Sequence, residues 1–140
     1  MGRVKKTLRI AIVYACICGA AISATMWGGA RPLVAIFLAP TETAFTLAVS
    51  GLPILGLCAL PFALNITFIG YYQSCEKAVR SIFYMLLRGI IFMVPGFILL
   101  PRLIGESGLW LAIPASEVLT LAVIAAAYIV AHRKTAVARG

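Results

Sequence analysis

Four long apolar runs alternate with short polar segments along the chain. The runs cover about residues 10–30, 45–69, 81–100 and 109–130. Each has roughly the twenty residues that a helix needs to cross a bilayer. Only Arg88 and Glu117, among the charged residues, lie inside a run. The pattern therefore predicts an all-α membrane protein with four transmembrane helices in a single transmembrane region, residues 1–140.

Prolines and glycines interrupt two of these runs. Gly51, Pro53, Gly56 and Pro61 fall within eleven positions of the second run. Because proline lacks a backbone donor and clashes with the preceding turn, this span is predicted to be broken. In the third run, Pro95 is a predicted helix breaker near the far end.

The first run carries small residues at every fourth position. Ala11, Ala15, Gly19 and Ser23 form one stripe on a helix. Such a stripe lets a neighbouring helix approach closely, so we expect close packing along this face. Trp27, near the end of the run, is a predicted anchor at the membrane interface.

Composition agrees with lipid as the main surroundings of the chain. Hydrophobic residues make up 63% of the 140 residues and charged residues 11%, and the mean hydropathy is +1.06. The net charge of +8 is spread over short clusters between the runs and forms no single basic patch, which disfavours a nucleic-acid partner. The lipid bilayer is therefore the first predicted partner.

Two charges inside the membrane are the strongest functional signal. Arg88 lies about eight residues, or roughly 12 Å, into the third span, and Glu117 about eight to ten residues into the fourth from the opposite side. Across a core of about 30 Å these depths nearly coincide, which predicts a direct or water-mediated pair. Asn65, after the second proline, is either an interhelical amide or part of a polar path. The pair likewise is either structural or part of a substrate or ion path.

No pattern in the sequence indicates catalysis or a bound cofactor. Cys16, Cys18, Cys58 and Cys75 have neither disulfide nor metal spacing, and His132 is expected to be solvated beside the membrane. Nucleotide-binding loops, catalytic triads and metal motifs are not found in the sequence. The chain is therefore predicted not to be an enzyme and to need no cofactor.

Three features, in order and spacing, resemble one transporter family. An aromatic-Gln ending (Tyr71-Tyr72-Gln73) precedes a small charged turn, Leu86-Leu87-Arg88 lies inside the third span, and Gly-Leu-Trp-Leu-Ala-x-Pro-x-Ser-Glu opens the fourth. They resemble the last helices of multidrug and toxic compound extrusion (MATE) transporters, of the flippase and exporter superfamily. With the two helices before them, the chain is similar to the last four helices of a twelve-helix fold.

The resemblance implies an antiporter that expels organic, often cationic, compounds in exchange for Na⁺ or H⁺ at the cell membrane. Family members have two six-helix lobes that rock about a central cavity. The first lobe is absent from this sequence, and the helix at residues 45–69 lacks the aspartate that some members use for cation coupling. The resemblance thus implies a truncated, split or C-terminal part that does not transport alone and whose partner supplies the missing helices.

Three other functions stay open at this stage. A lipid-linked oligosaccharide flippase of the same superfamily would have similar helices. A small four-helix drug exporter fits the length, although its usual glutamate in the first helix is missing here. A non-transporting membrane assembly subunit would also use the small-residue stripe and the buried pair.

The distribution of basic residues predicts the orientation of the chain. Nine of the twelve lysines and arginines lie before the first run, in the turn after the second run, or after the fourth run, while only Arg31 and Arg102 lie in the other two connections. Positive residues favour the cytoplasmic side. We therefore expect accessibility mapping of tags at the two ends to place both in the cytoplasm. Ends on opposite faces would contradict four complete spans.

Overall fold

A computed structural model describes the backbone of residues 2–137 and the side chains of residues 4 and 6–130. The described part is helical and contains no strand. It consists of α1 Gly2–Gly28, α2 Ala30–Ala35, α3 Thr43–Gly56, α4 Ala59–Ser74, α5 Ala78–Leu86, a π-helical segment Leu87–Phe92, α6 Met93–Ile104 and α7 Ser107–Val137.

These helices provide the length and hydropathy for a multi-pass membrane protein. Three stretches could each cross a membrane, namely Lys6–Gly28, Ala78–Ile104 and Ser107–Val130. The pair α3 and α4 gives a fourth span if the two bent helices are counted together. The prediction of an all-α membrane protein is therefore confirmed.

The second span is broken at the place where prolines and glycines accumulate. Helices α3 and α4 meet at 48°, and residues 57 and 58 separate them. Pro53 lies inside α3, whereas Pro61 lies in the first turn of α4, where the missing N–H costs no helical hydrogen bond. The second span is therefore broken, as the sequence predicted, and the break falls between the two prolines.

Side chains of α1 satisfy carbonyls that the break leaves exposed. The Ser23 hydroxyl donates to the carbonyl of Gly56 at 2.7 Å, and the Trp27 indole N–H donates to the carbonyl of Pro53 at 2.9 Å. In lipid a free carbonyl has no water to bond. Trp27 thus satisfies a carbonyl at the helix break. The prediction of an interface anchor did not suggest this role.

The small-residue stripe of α1 faces its neighbours, as predicted. A Cβ on Gly19 would lie 2.8 Å from the Cα of Leu60 in α4, so only glycine permits this approach. Tyr14 and Ile17, on the other side of α1, are 65% and 60% exposed. The first helix therefore packs through its small residues and presents its large ones outward, consistent with packing in lipid.

Pro95 does not break the third span. Helices α5 and α6 are joined through the π segment into one helix, Ala78–Ile104. The prediction of a breaker at this position was wrong. The wider π turn, which ends three residues before Pro95, gives the proline ring room because a π-bulge shifts the hydrogen-bond pattern by one residue.

Helix α7 is a central element that packs against α3, α4, the π segment and α6. Its residues at every fourth position are almost fully buried: Ala112, Ser116, Thr120 and Ile124 are each no more than 2% exposed. Ile124 joins an apolar core with residues of α4, α5 and the π segment. The turn before α7 is tight, because a Cβ on Gly108 would collide with the backbone of Leu100.

The hydrogen bonds at the helix break give a direct test. The double variant Ser23→Ala/Trp27→Phe should lower the free energy of unfolding by about 1–2 kcal/mol, because two carbonyls lose their donors. Equilibrium unfolding in bicelles measures the difference. Thr25→Val is the matched control, since that hydroxyl donates only within α1, to the carbonyl of Ala21. A loss no larger than in the control would show that the break does not depend on α1.

Candidate functional site

Polar side chains from two elements meet at the carboxylate of a third. Glu117 of α7 lies 3.1 Å, through Oε1, from the Nε of Arg88 in the π segment. Its Oε2 accepts a hydrogen bond of 2.8 Å from the Nδ2 of Asn65 in α4. The predicted contact between Arg88 and Glu117 is confirmed, and it is direct.

The network lies near the middle of the spans. Arg88 follows the start of α5 by ten residues, and Glu117 follows the start of α7 by ten. At 1.5 Å per residue each is about 15 Å from its helix start, which is half of a hydrocarbon core of about 30 Å. Glu117 is only 4% exposed, so the carboxylate depends on its protein partners.

Among the described residues, the Asn65 side chain forms hydrogen bonds only with Glu117. The side chain is completely buried, and its Nδ2 also donates to the backbone carbonyl of Glu117 at 2.9 Å. The opposite amide orientation would place Oδ1 against two acceptors, so the contacts fix the orientation. Within the described residues, Oδ1 has no hydrogen-bond partner. The interhelical amide that the sequence allowed for Asn65 is therefore present, with one acceptor left over.

Arg88 uses only part of its hydrogen-bonding capacity. Its guanidinium carbon lies 4.5 Å from the centroid of the Phe62 ring, a cation–π contact. The side chain is 26% exposed. Among the described residues, its ion-pair partner is Glu117, which Nε contacts. No hydrogen bond from the two terminal NH₂ groups to these residues is found, so their donors are open to another acceptor.

The buried hydroxyls near Glu117 do not join the network. Ser116 donates to the carbonyl of Ile113 at 2.9 Å, and Thr120 donates to the carbonyl of Ser116 at 2.8 Å. Both bonds stay within α7. The chemistry available at this site is therefore that of one carboxylate, one guanidinium and one amide.

A groove and an apolar cavity lie on the surface of the described structure. A groove of about 420 Å³ opens beside Arg88, between α4 and the helix formed by α5 and the π segment. A second cavity of about 330 Å³ lies among α1, α2 and α3 and is lined only by apolar side chains. Of the two, only the first adjoins the polar network.

Metal binding finds no support in the described residues. No group of three or more His, Cys, Asp or Glu side chains there could hold an ion, and the four cysteines are free. The side chain of His132 lies outside the described residues.

A sequence model of the MatE family matches residues 1–98, which is more than two thirds of the chain. The chain belongs to the MATE family. MATE proteins are transporters rather than enzymes, and the apolar helices agree with a role in membrane transport. Comparisons with curated proteins and with solved structures give no match.

Only part of the polar network of this MATE protein lies within the residues that match the family model. Asn65 and Arg88 fall within residues 1–98, whereas Glu117 follows them. The contact between Asn65 and Glu117 was not predicted, although a signal existed. Asn65 lies nine residues before the end of α4, about 14 Å deep, at nearly the same depth as the charged pair.

Replacement of one or both charges measures their coupling. Arg88→Leu leaves Glu117 buried without its cation, and we expect a loss of about 3 kcal/mol or more in the free energy of unfolding. The double variant Arg88→Leu/Glu117→Leu should lose less than the sum of the single variants, with a coupling of about 1–3 kcal/mol. Unfolding in bicelles supplies all three values. Strictly additive losses would mean that the contact is energetically unimportant.

Proposed function

We propose that this MATE chain forms part of an efflux antiporter that expels small organic compounds, cations among them, in exchange for Na⁺ or H⁺. The family match over residues 1–98 carries the proposal. A buried carboxylate near the membrane centre supports it, because intramembrane charges commonly mark substrate or ion paths.

In this proposal Asn65, Arg88 and Glu117 line the path. Both carboxylate oxygens of Glu117 already have partners. A coupling cation or an organic cation would therefore exchange with Arg88 rather than bind beside it. Such exchange at one carboxylate is what an antiporter requires, since the two cations cannot occupy it together.

We further propose that the chain corresponds to the last four helices of the twelve-helix fold and does not transport alone. Many large apolar side chains of the described residues are exposed, such as Ile82 at 55% and Val118 at 54%. A second chain carrying the other eight helices would cover part of this surface and complete the central cavity. In the cell membrane, both ends would face the cytoplasm.

Transport assays in vesicles test this function. Vesicles carrying the chain with a co-expressed eight-helix partner should expel ethidium when a Na⁺ or H⁺ gradient is imposed, and vesicles with the chain alone should not. Glu117→Gln should reduce gradient-driven efflux at least about tenfold, since it removes the charge that binds the cation. Glu106→Gln, in the turn before α7, is the matched control.

Two results would contradict the proposal. Efflux by the chain alone would show that four spans suffice, as in a small exporter. Gradient-driven efflux that is equally strong in Glu117→Gln and Glu106→Gln would remove Glu117 from the coupling path.

A further inference from the structure

The groove beside Arg88 has an apolar wall, a polar outer end and a charged inner end. Ile66 and Met85 are among its apolar lining residues, and Gln73 and Arg88 are its polar ones. Gln73 lies one residue before the end of α4, whereas Arg88 is about 15 Å from the start of α5. The groove therefore runs from the membrane edge inward and ends at a guanidinium.

Arg88 presents unused donors to this groove. Glu117 contacts the guanidinium through Nε, the Phe62 ring covers one of its faces, and no hydrogen bond from the NH₂ groups to a described residue is found. Arg88 is the only charged side chain among the described residues that line the groove. Guanidinium NH₂ groups bind carboxylate and phosphate oxygens in preference to neutral acceptors, through charge-assisted hydrogen bonds. The chemistry of the inner end thus favours an acidic group.

Two glycines on facing helices keep the groove unfilled. A Cβ added to Gly70 of α4 or to Gly89 of the π segment would meet no atom within 4 Å. Gly19 and Gly108, in contrast, are required by close backbone contacts. Glycine within a helix is less favourable than alanine, so neither residue stabilises its helix, and both leave the groove open.

The groove has the size of a small-molecule site. Its volume of about 420 Å³ falls in the range of cavities that hold drug-sized ligands, about 300–1,000 Å³. We propose that this groove binds an amphipathic organic anion, with a carboxylate or phosphate oxygen on the Arg88 NH₂ groups and an apolar body against Ile66 and Met85. The site belongs to this chain itself and does not depend on the proposed transport.

Binding of a fluorescent carboxylate tests the site without any gradient. The full chain is placed in phosphatidylcholine nanodiscs, and binding of 11-(dansylamino)undecanoate is measured. Binding to nanodiscs without protein is subtracted as the background. The methyl ester of this probe has the same apolar body without the charge. We expect the carboxylate to bind at least about tenfold more tightly than the ester. Equal affinities, or no binding above empty nanodiscs, would overturn the proposal.

Groove-filling variants locate the binding while the ion pair stays intact. Gly70→Leu and Gly89→Leu should each weaken carboxylate binding at least about tenfold, because the new side chain occupies the groove. Gly28→Leu is the matched control, since a Cβ there also meets no atom within 4 Å and Gly28 ends α1, away from the groove. Unchanged binding in both groove variants, with folding verified by circular dichroism, would overturn the assignment of the binding site to this groove.

The double variant Arg88→Leu/Glu117→Leu tests the guanidinium itself and leaves no lone buried charge. It should bind the carboxylate and the ester equally, and a retained preference for the carboxylate would exclude Arg88 as the anion partner. Phosphatidylglycerol in the nanodiscs then identifies the source of the anion. Displacement of the probe indicates an acidic lipid, and retention of the probe indicates a free amphiphile, both through the same Arg88 chemistry.

Discussion

The carboxylate of Glu117 is the constraint that links the central helices. A charge at this depth costs several kcal/mol unless it is paired, and here Arg88 and Asn65 occupy both of its oxygens. The partners come from the π segment and from α4, so the three elements must keep one relative position. A buried ion pair adds little net stability compared with an apolar contact. Its effect is to make this arrangement of helices better than alternatives that would leave a charge alone in lipid.

The same requirement explains the irregular helices around the network. In lipid every backbone group needs an internal partner, so the carbonyls left over where α3 ends need donors from elsewhere. Ser23 and Trp27 of α1 provide them at the break. The glycine at position 19 is what lets α1 come close to α4, the helix that follows the break. Small residues and hydrogen-bond donors on α1 thus compensate for the break between α3 and α4.

The sequence predicts those parts of the structure that depend on position along a helix. The apolar runs predicted the helical spans, and the similar depths of Arg88 and Glu117 in the membrane predicted their contact. The remaining features depend on how each helix is rotated and bent. The sequence left the partner of Asn65 undetermined because a 48° bend decides which way its side chain faces. The π turn before Pro95 was missed because a proline is compatible with either a broken or a widened helix, and only packing against α7 distinguishes them.

Arg88 connects the groove to the carboxylate, so the two proposed sites would have opposite relations to ions. An organic cation and a coupling cation would both compete for Glu117, which is the exclusion that exchange across a membrane needs. An anion on the Arg88 NH₂ groups would instead share the positive charge that Arg88 offers to Glu117 and leave the carboxylate freer to bind a cation. By linkage, a cation on Glu117 would raise the affinity for the anion by the same factor by which the anion raises the affinity for the cation. An amphipathic anion at Arg88 would therefore act on this MATE protein as a modulator of cation binding rather than as the cargo exchanged for it.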